Sequence, residues 1–93
     1  MRGYRILATN ARAGGNELDL IVRRGGRLIF CEVKARAGTG YGHPFESVGP
    51  EKTRRLRRAA EAWLAARPEL GQLEVVFEVA AVRDRAVERA SLG

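Results

Sequence analysis

The residues able to do chemistry gather in one stretch, ELDLIVRRGGRLIFCEVKAR (residues 17–36). Glu17, Asp19, Glu32 and Lys34 interrupt an otherwise apolar run of Leu, Ile, Val and Phe. If Gly25-Gly26 forms a two-residue turn, Val22 pairs with Ile29, Leu20 with Cys31 and Leu18 with Val33 on one face. The other face then carries Ile21 opposite Phe30, Asp19 opposite Glu32 and Glu17 opposite Lys34. Direct cross-strand neighbours have Cβ atoms about 4.5–5.5 Å apart, so two carboxylates are expected side by side next to Phe30 and Ile21. That pairing works against the sheet, because like charges repel and desolvation raises the cost. A divalent cation resolves the conflict: Mg²⁺ (or Mn²⁺) is held by one or two carboxylates and keeps positions for water and phosphate. Asp19 and Glu32 are thus the candidate metal ligands. Lys34, on the same face, would orient a nucleophilic water or offset charge developing on a phosphate. The plainer alternative is a solvated sheet face with a Glu17–Lys34 salt bridge.

Ninety-three residues suffice for one domain with a modest core, and 45% apolar against 30% charged residues is the composition of a globular chain. We read residues 1–93 as a single domain. No apolar run reaches the ~18 residues that cross a bilayer, and the N-terminal residues lack a signal peptide's apolar core. One cysteine, Cys31, excludes an internal disulfide and suits the cytoplasm. The net charge of +6 is uneven. Residues 1–58 hold 13 Lys/Arg against 5 Asp/Glu, and residues 59–93 hold 4 against 6. The positive half is the half with the unusual hairpin, and such a field draws polyanions, nucleic acid above all. Fifteen of the 17 basic residues are Arg, so a general preference for arginine accounts for part of that excess.

The elements that must position these residues follow from punctuation and period. A short strand is expected at 3–9, turn chemistry at 10–16, and strands at about 17–23 and 27–35. Residues 36–49 are rich in glycine and read as a long loop, which makes His43, Tyr41 and Phe45 substrate-contact candidates. A helix starts with Gly49 as cap, Pro50 in its first position and Glu51 near the positive end of its dipole. Leu56, Ala60, Trp63 and Leu64 form its core stripe, and Pro68 and Gly71 end it. Strands at 73–82 and 86–90 complete the order β-β-β-α-β-β, an α+β or mixed α/β arrangement of one sheet and a helix. The run KTRRLRR places Lys52, Arg54, Arg55, Arg57 and Arg58 on the outward arc of that helix, a candidate phosphate-backbone track together with Arg36. Cys31 and Trp63 read as core.

Asp followed by Glu-x-Lys in the next strand resembles the PD-(D/E)XK nuclease superfamily. The surrounding segments GYRILATN, ELDLIV, LIFCEVKAR, YGHPFESVGPEKTRRLRRAAEAWL and FEVAAV resemble the bacterial YraN-like family, UPF0102, over roughly residues 3–82. The resemblance implies a restriction-endonuclease-like mixed sheet, with Asp19, Glu32 and Lys34 at metal-binding and catalytic positions. Glu17 corresponds to the acid of that family's Gly-Glu-Ile-Asp-Leu-Ile segment. Members of that family usually carry a helix with a further Glu ahead of the Gly-Tyr segment, where this chain begins. Asn16 replaces the usual Gly, and Glu78 the usual Asp. The expected function is metal-dependent DNA hydrolysis, on branched or single-stranded DNA. The alternatives are a nucleic-acid-binding module with an incomplete site and a scaffold that pairs through the hairpin, such as a homodimer.

Overall fold

The computed structural model describes residues 3–35, 49–83 and 86–91. Five strands form one mixed sheet: β1 (Tyr4–Ala13), β2 (Asn16–Arg24), β3 (Arg27–Ala35), β4 (Glu74–Arg83) and β5 (Ala86–Ser91). They lie side by side in chain order, antiparallel except for the parallel β3–β4 pair. Parallel neighbours need a long crossover, and α1 (Pro50–Ala65) lies within it, followed by a 3-10 turn at Pro68–Leu70. The mixed α+β arrangement is therefore the one expected from the sequence, and the last strand is present.

Glycine chemistry sets the first two hairpins. Gly25 has φ of +58° and Gly26 is not in the left-handed region, the pattern of a type II′ turn closing Arg24 onto Arg27. That turn enforces the expected pairs Leu20–Cys31, Ile21–Phe30 and Val22–Ile29. Gly14 and Gly15, with φ of +58° and +79°, make a type I′ turn between Ala13 and Asn16. A Cβ on Gly14 would lie 3.2 Å from the Arg58 carbonyl oxygen and 3.3 Å from Ala62 Cβ, so this turn packs directly against α1. The segment 10–16, expected to be all turn, is mostly strand: β1 runs on to Ala13. It does so with two irregularities, a register shift between Ile6 and Ala8 and a positive φ of 50° at Asn10.

One face of the sheet is covered by α1. Leu18, Ile21, Leu28 and Phe30 pack there against Leu56, Ala59, Ala60 and Trp63. Phe30 is fully buried, edge-on to Trp63 at 5.8 Å between centroids and stacked on Phe77 at 5.6 Å. Arg67 ends the helix by donating to the Trp63 carbonyl at 3.0 Å while its guanidinium lies 4.1 Å over the indole. Leu18 shares this core with Ile21, three residues on. Strict alternation would have put it with Leu20 and Val33, so the pleat breaks between 18 and 21.

The opposite face is concave. Leu20, Val22, Ile29, Cys31 and Ala80 line a cavity of about 320 Å³ with Tyr4, Glu78 and Arg89 at its rim. Tyr4 Oη, on the first strand, accepts hydrogen bonds at 3.0 Å from both Arg24 and Arg89, the latter on the fifth. The sheet is thus curled until its two outer strands meet through side chains.

Candidate functional site

The candidate site lies where the β2–β3 hairpin opens. The ladder runs from Arg24–Arg27 to Leu20–Cys31, and the Asp19–Glu32 and Glu17–Lys34 positions lie beyond its last pair. There the half-buried Asp19 accepts the Val33 N–H through Oδ2 at 2.9 Å, a donor that an antiparallel ladder would satisfy with backbone. On β1, Asn10 falls across from Asp19, between the Thr9–Leu20 and Ala11–Leu18 pairs. The left-handed residue and the broken pleat therefore coincide with the acid.

Glu32 continues the face that carries Phe30, as expected, and meets α1. Its side chain is only 13% exposed, and Oε1 lies 3.2 Å from Lys52 Nζ. Oε2 is buried and has no hydrogen-bond partner. A carboxylate oxygen in that condition is expensive, and a donor or a cation beside it would relieve the cost. Glu17, Glu32, Lys52 and Arg55, with Asn16 and Leu56, line a small cavity of about 120 Å³ at this point. Glu17 is exposed at its edge.

Lys52 is the residue that sequence reasoning misplaced. It was expected on the outward arc with the arginines, yet it turns inward to Glu32 and is 39% exposed. The signal was available in the helical period: Lys52 stands four residues before Leu56 and continues the buried stripe towards the helix start. Hydrogen bonding with the Lys34 side chain holds the Lys52 ammonium above the ordinary lysine range, and the Glu32 carboxylate adds to the effect. Lys52 therefore touches both Glu32 and Lys34, the only other lysine among the chain's 17 basic residues.

The remaining basic residues of the run divide. Arg54 and Arg55 lie 3.8 and 3.6 Å from Glu51, exposed pairs of ordinary helical spacing. Arg57 stacks its guanidinium 5.5 Å from the Phe77 ring centroid, and Arg58 is exposed. Arg36, Tyr41, His43 and Phe45 lie outside the described residues. Among the described residues no group of three or more His, Cys, Asp or Glu side chains gathers to hold a metal, and no helix is long and apolar enough to cross a membrane. Cys31 is core, as expected. Burial, with Glu78 nearby, pushes its thiol up to about 11. Tyr4 and Arg89, joined to Arg24 and Glu78, form a second polar group that the sequence did not reveal.

The chain matches the model of the uncharacterised protein family UPF0102 over residues 1–82. It is 53% identical over 62 residues to a UPF0102 protein of Acidothermus cellulolyticus, covering 67% of this chain and 47% of the relative. A UPF0102 protein of Synechococcus sp. is 45% identical over 85 residues, covering 90% of this chain and 65% of that one. One of Syntrophotalea carbinolica is 45% identical over 87 residues, covering 94% of this chain and 70% of the relative. The chain thus spans about half to two thirds of the length of the first two relatives, and it belongs to the UPF0102 family.

Proposed function

We propose that this member of UPF0102 is a divalent-metal-dependent nuclease acting on DNA, with a catalytic centre of the PD-(D/E)XK type built from Asp19, Glu32 and Lys34. The observation that carries the reading is Glu32: a nearly buried carboxylate, one oxygen without a partner, beside Lys52, which in turn contacts Lys34. The donor chemistry suits Mg²⁺ or Mn²⁺, which take carboxylate oxygens from as few as one or two side chains. Glu32 Oε2 and the Asp19 carboxylate would hold the ion. A divalent cation at this point offsets the charge that builds on the phosphate in the transition state.

The chain's own residues do the rest. Asp19 is fixed by the Val33 N–H, which orients its carboxylate before any ligand arrives. Lys34 presents an ammonium to the scissile phosphate and steadies the attacking water by donating to it. Glu17 stands at the mouth and tunes the field around that lysine. Arg54, Arg55 and Arg58 track the phosphate backbone along α1, giving affinity without base selectivity. The substrate is branched or single-stranded DNA in the cytoplasm.

A second reading keeps the DNA and drops the chemistry. One oxygen of Glu32 is already neutralised by Lys52, and among the described residues Asp19, Glu32 and Glu17 do not gather into a group of three placed to hold a metal. That favours a binding module with an incomplete catalytic face. A gel shift with and without Mg²⁺, followed by cleavage assays on the protein and on Asp19→Asn, separates the two. The nuclease binds DNA and cleaves it, and Asp19→Asn binds without cleaving. A binding module retards DNA in both forms and cleaves it in neither.

A further inference from the structure

The chain uses arginine almost everywhere it needs a cation, and one of its two lysines, Lys52, sits at Glu32 and contacts the other, Lys34. Arginine and lysine are not equivalent at such a place. Guanidinium grips a carboxylate with a planar fork, whereas an ammonium is a compact, strongly hydrated point charge on a flexible stem that leaves more readily. Lys52 reaches only Oε1, at 3.2 Å, and leaves Oε2 buried and unpartnered. A structural ion pair in a nearly buried position would satisfy both oxygens. This one satisfies half. Lys52 is also more exposed than its partner, with its side chain at the mouth of the small cavity that Glu17 and Arg55 share.

We propose that Lys52 is a displaceable counter-ion. Its ammonium on Oε1 offsets the Glu32 charge in the metal-free protein and opposes a divalent cation arriving at Oε2, which sets the metal affinity of the site. The inference rests on the reading of Glu32 as a metal ligand. Without Lys52 the bare carboxylate would strain the empty site; with it, the site folds charged and ready. A cation that docks on Glu32 releases the ammonium on the first turn of a helix rich in arginine, where a phosphate is its natural next partner.

The test is Mn²⁺ binding, read by electron paramagnetic resonance of the free ion and by the rise in melting temperature. The subjects are the unchanged protein, Lys52→Met, Lys52→Arg and Glu32→Gln. Removing the competitor should tighten Mn²⁺ binding by about tenfold in Lys52→Met, on the scale at which each factor of ten is ~1.4 kcal/mol. Lys52→Arg, which keeps a cation on Glu32, should not gain affinity, and Glu32→Gln should lose binding. If Lys52→Met is folded only when Mn²⁺ is present, the same competition is read from the metal's rescue of the fold. Equal Mn²⁺ affinity in the unchanged protein and Lys52→Met overturns the counter-ion proposal alone. Absence of Mn²⁺ binding by every protein overturns both it and the metal reading of Glu32. A Lys52→Met that stays unfolded with and without Mn²⁺ also overturns it, because the lysine would then be structural.

Discussion

The two ends of β3 carry the same kind of interaction in opposite settings. At the turn end, Arg27 and Glu74 lie 3.0 Å apart with side chains 67% and 66% exposed. At the far end, Lys52 and Glu32 lie 3.2 Å apart, but the glutamate is 13% exposed and one of its oxygens has no partner. The turn end has a regular ladder and charges that water can serve. The far end has a ladder that stops, an aspartate that takes a backbone N–H from the neighbouring strand, and a glutamate that water barely reaches. Two cation–glutamate pairs therefore separate into surface decoration and a candidate site by burial and by interruption of the sheet. An ion pair says little until its desolvation is known.

The sharpest break in that comparison is catalytic. Lys34→Met should lower DNA cleavage by orders of magnitude while leaving folding and DNA affinity nearly intact, as gel shifts and circular dichroism would register. Arg27→Met, at the other end of the same strand, should leave the cleavage rate unchanged. Equal losses in the two variants would mean that general electropositivity, and not position, governs the reaction.

The next effect is on stability. Lys52→Met strands a nearly buried carboxylate and should cost the metal-free protein about 1–2 kcal/mol by denaturant titration. The partial exposure of Lys52 keeps the figure below that of a fully buried pair.

How far these contrasts could be read from the chain varies by element. The hairpin register was legible because Gly25-Gly26 admits a two-residue turn and apolar residues on both strands then agree. The helix was legible from Pro50, Glu51 and the stripe through Trp63. Segment 10–16 misled because its Asn and Gly residues look like turn, yet only Gly14 and Gly15 turn and Asn10 bends within a strand. The side of Leu18 was lost for the same reason: alternation presumes an unbroken pleat, and the break at Asp19 is a tertiary feature. Lys52 shares a basic run with the arginines, yet its spacing from Leu56 sets it on the inward side of the helix. The Tyr4–Arg89 contact joins the first strand to the fifth and depends on sheet curl, which local sequence does not specify.

A smaller effect separates the two faces of β3's middle. Cys31, with its thiol raised from 9.0 to about 11 by burial, binds its proton more tightly folded than unfolded. Its contribution to stability is thus complete below pH ~9 and lost as pH rises from there through about 11. Thiolate absorbance against pH should show titration near 11 in the folded protein, and Cys31→Ala should remove that part of the alkaline loss of stability. A thiol titrating at the ordinary value would show that water enters the concave face.

Smallest of all is the turn-end pair. Arg27→Met or Glu74→Gln should change stability by about 0–1 kcal/mol, and the difference should shrink in high salt. A larger, salt-resistant loss would erase the contrast between the two ends.

The central claim is that the far end of β3 is a hydrolytic centre, and one measurement meets it head-on: DNA cleavage by the unchanged protein, Glu32→Gln and Glu74→Gln in Mg²⁺ or Mn²⁺, on linear, branched and single-stranded substrates. The account predicts cleavage by the unchanged protein and by Glu74→Gln, and none by Glu32→Gln although it still binds. Cleavage that survives Glu32→Gln, or DNA binding without cleavage of any substrate, would contradict it.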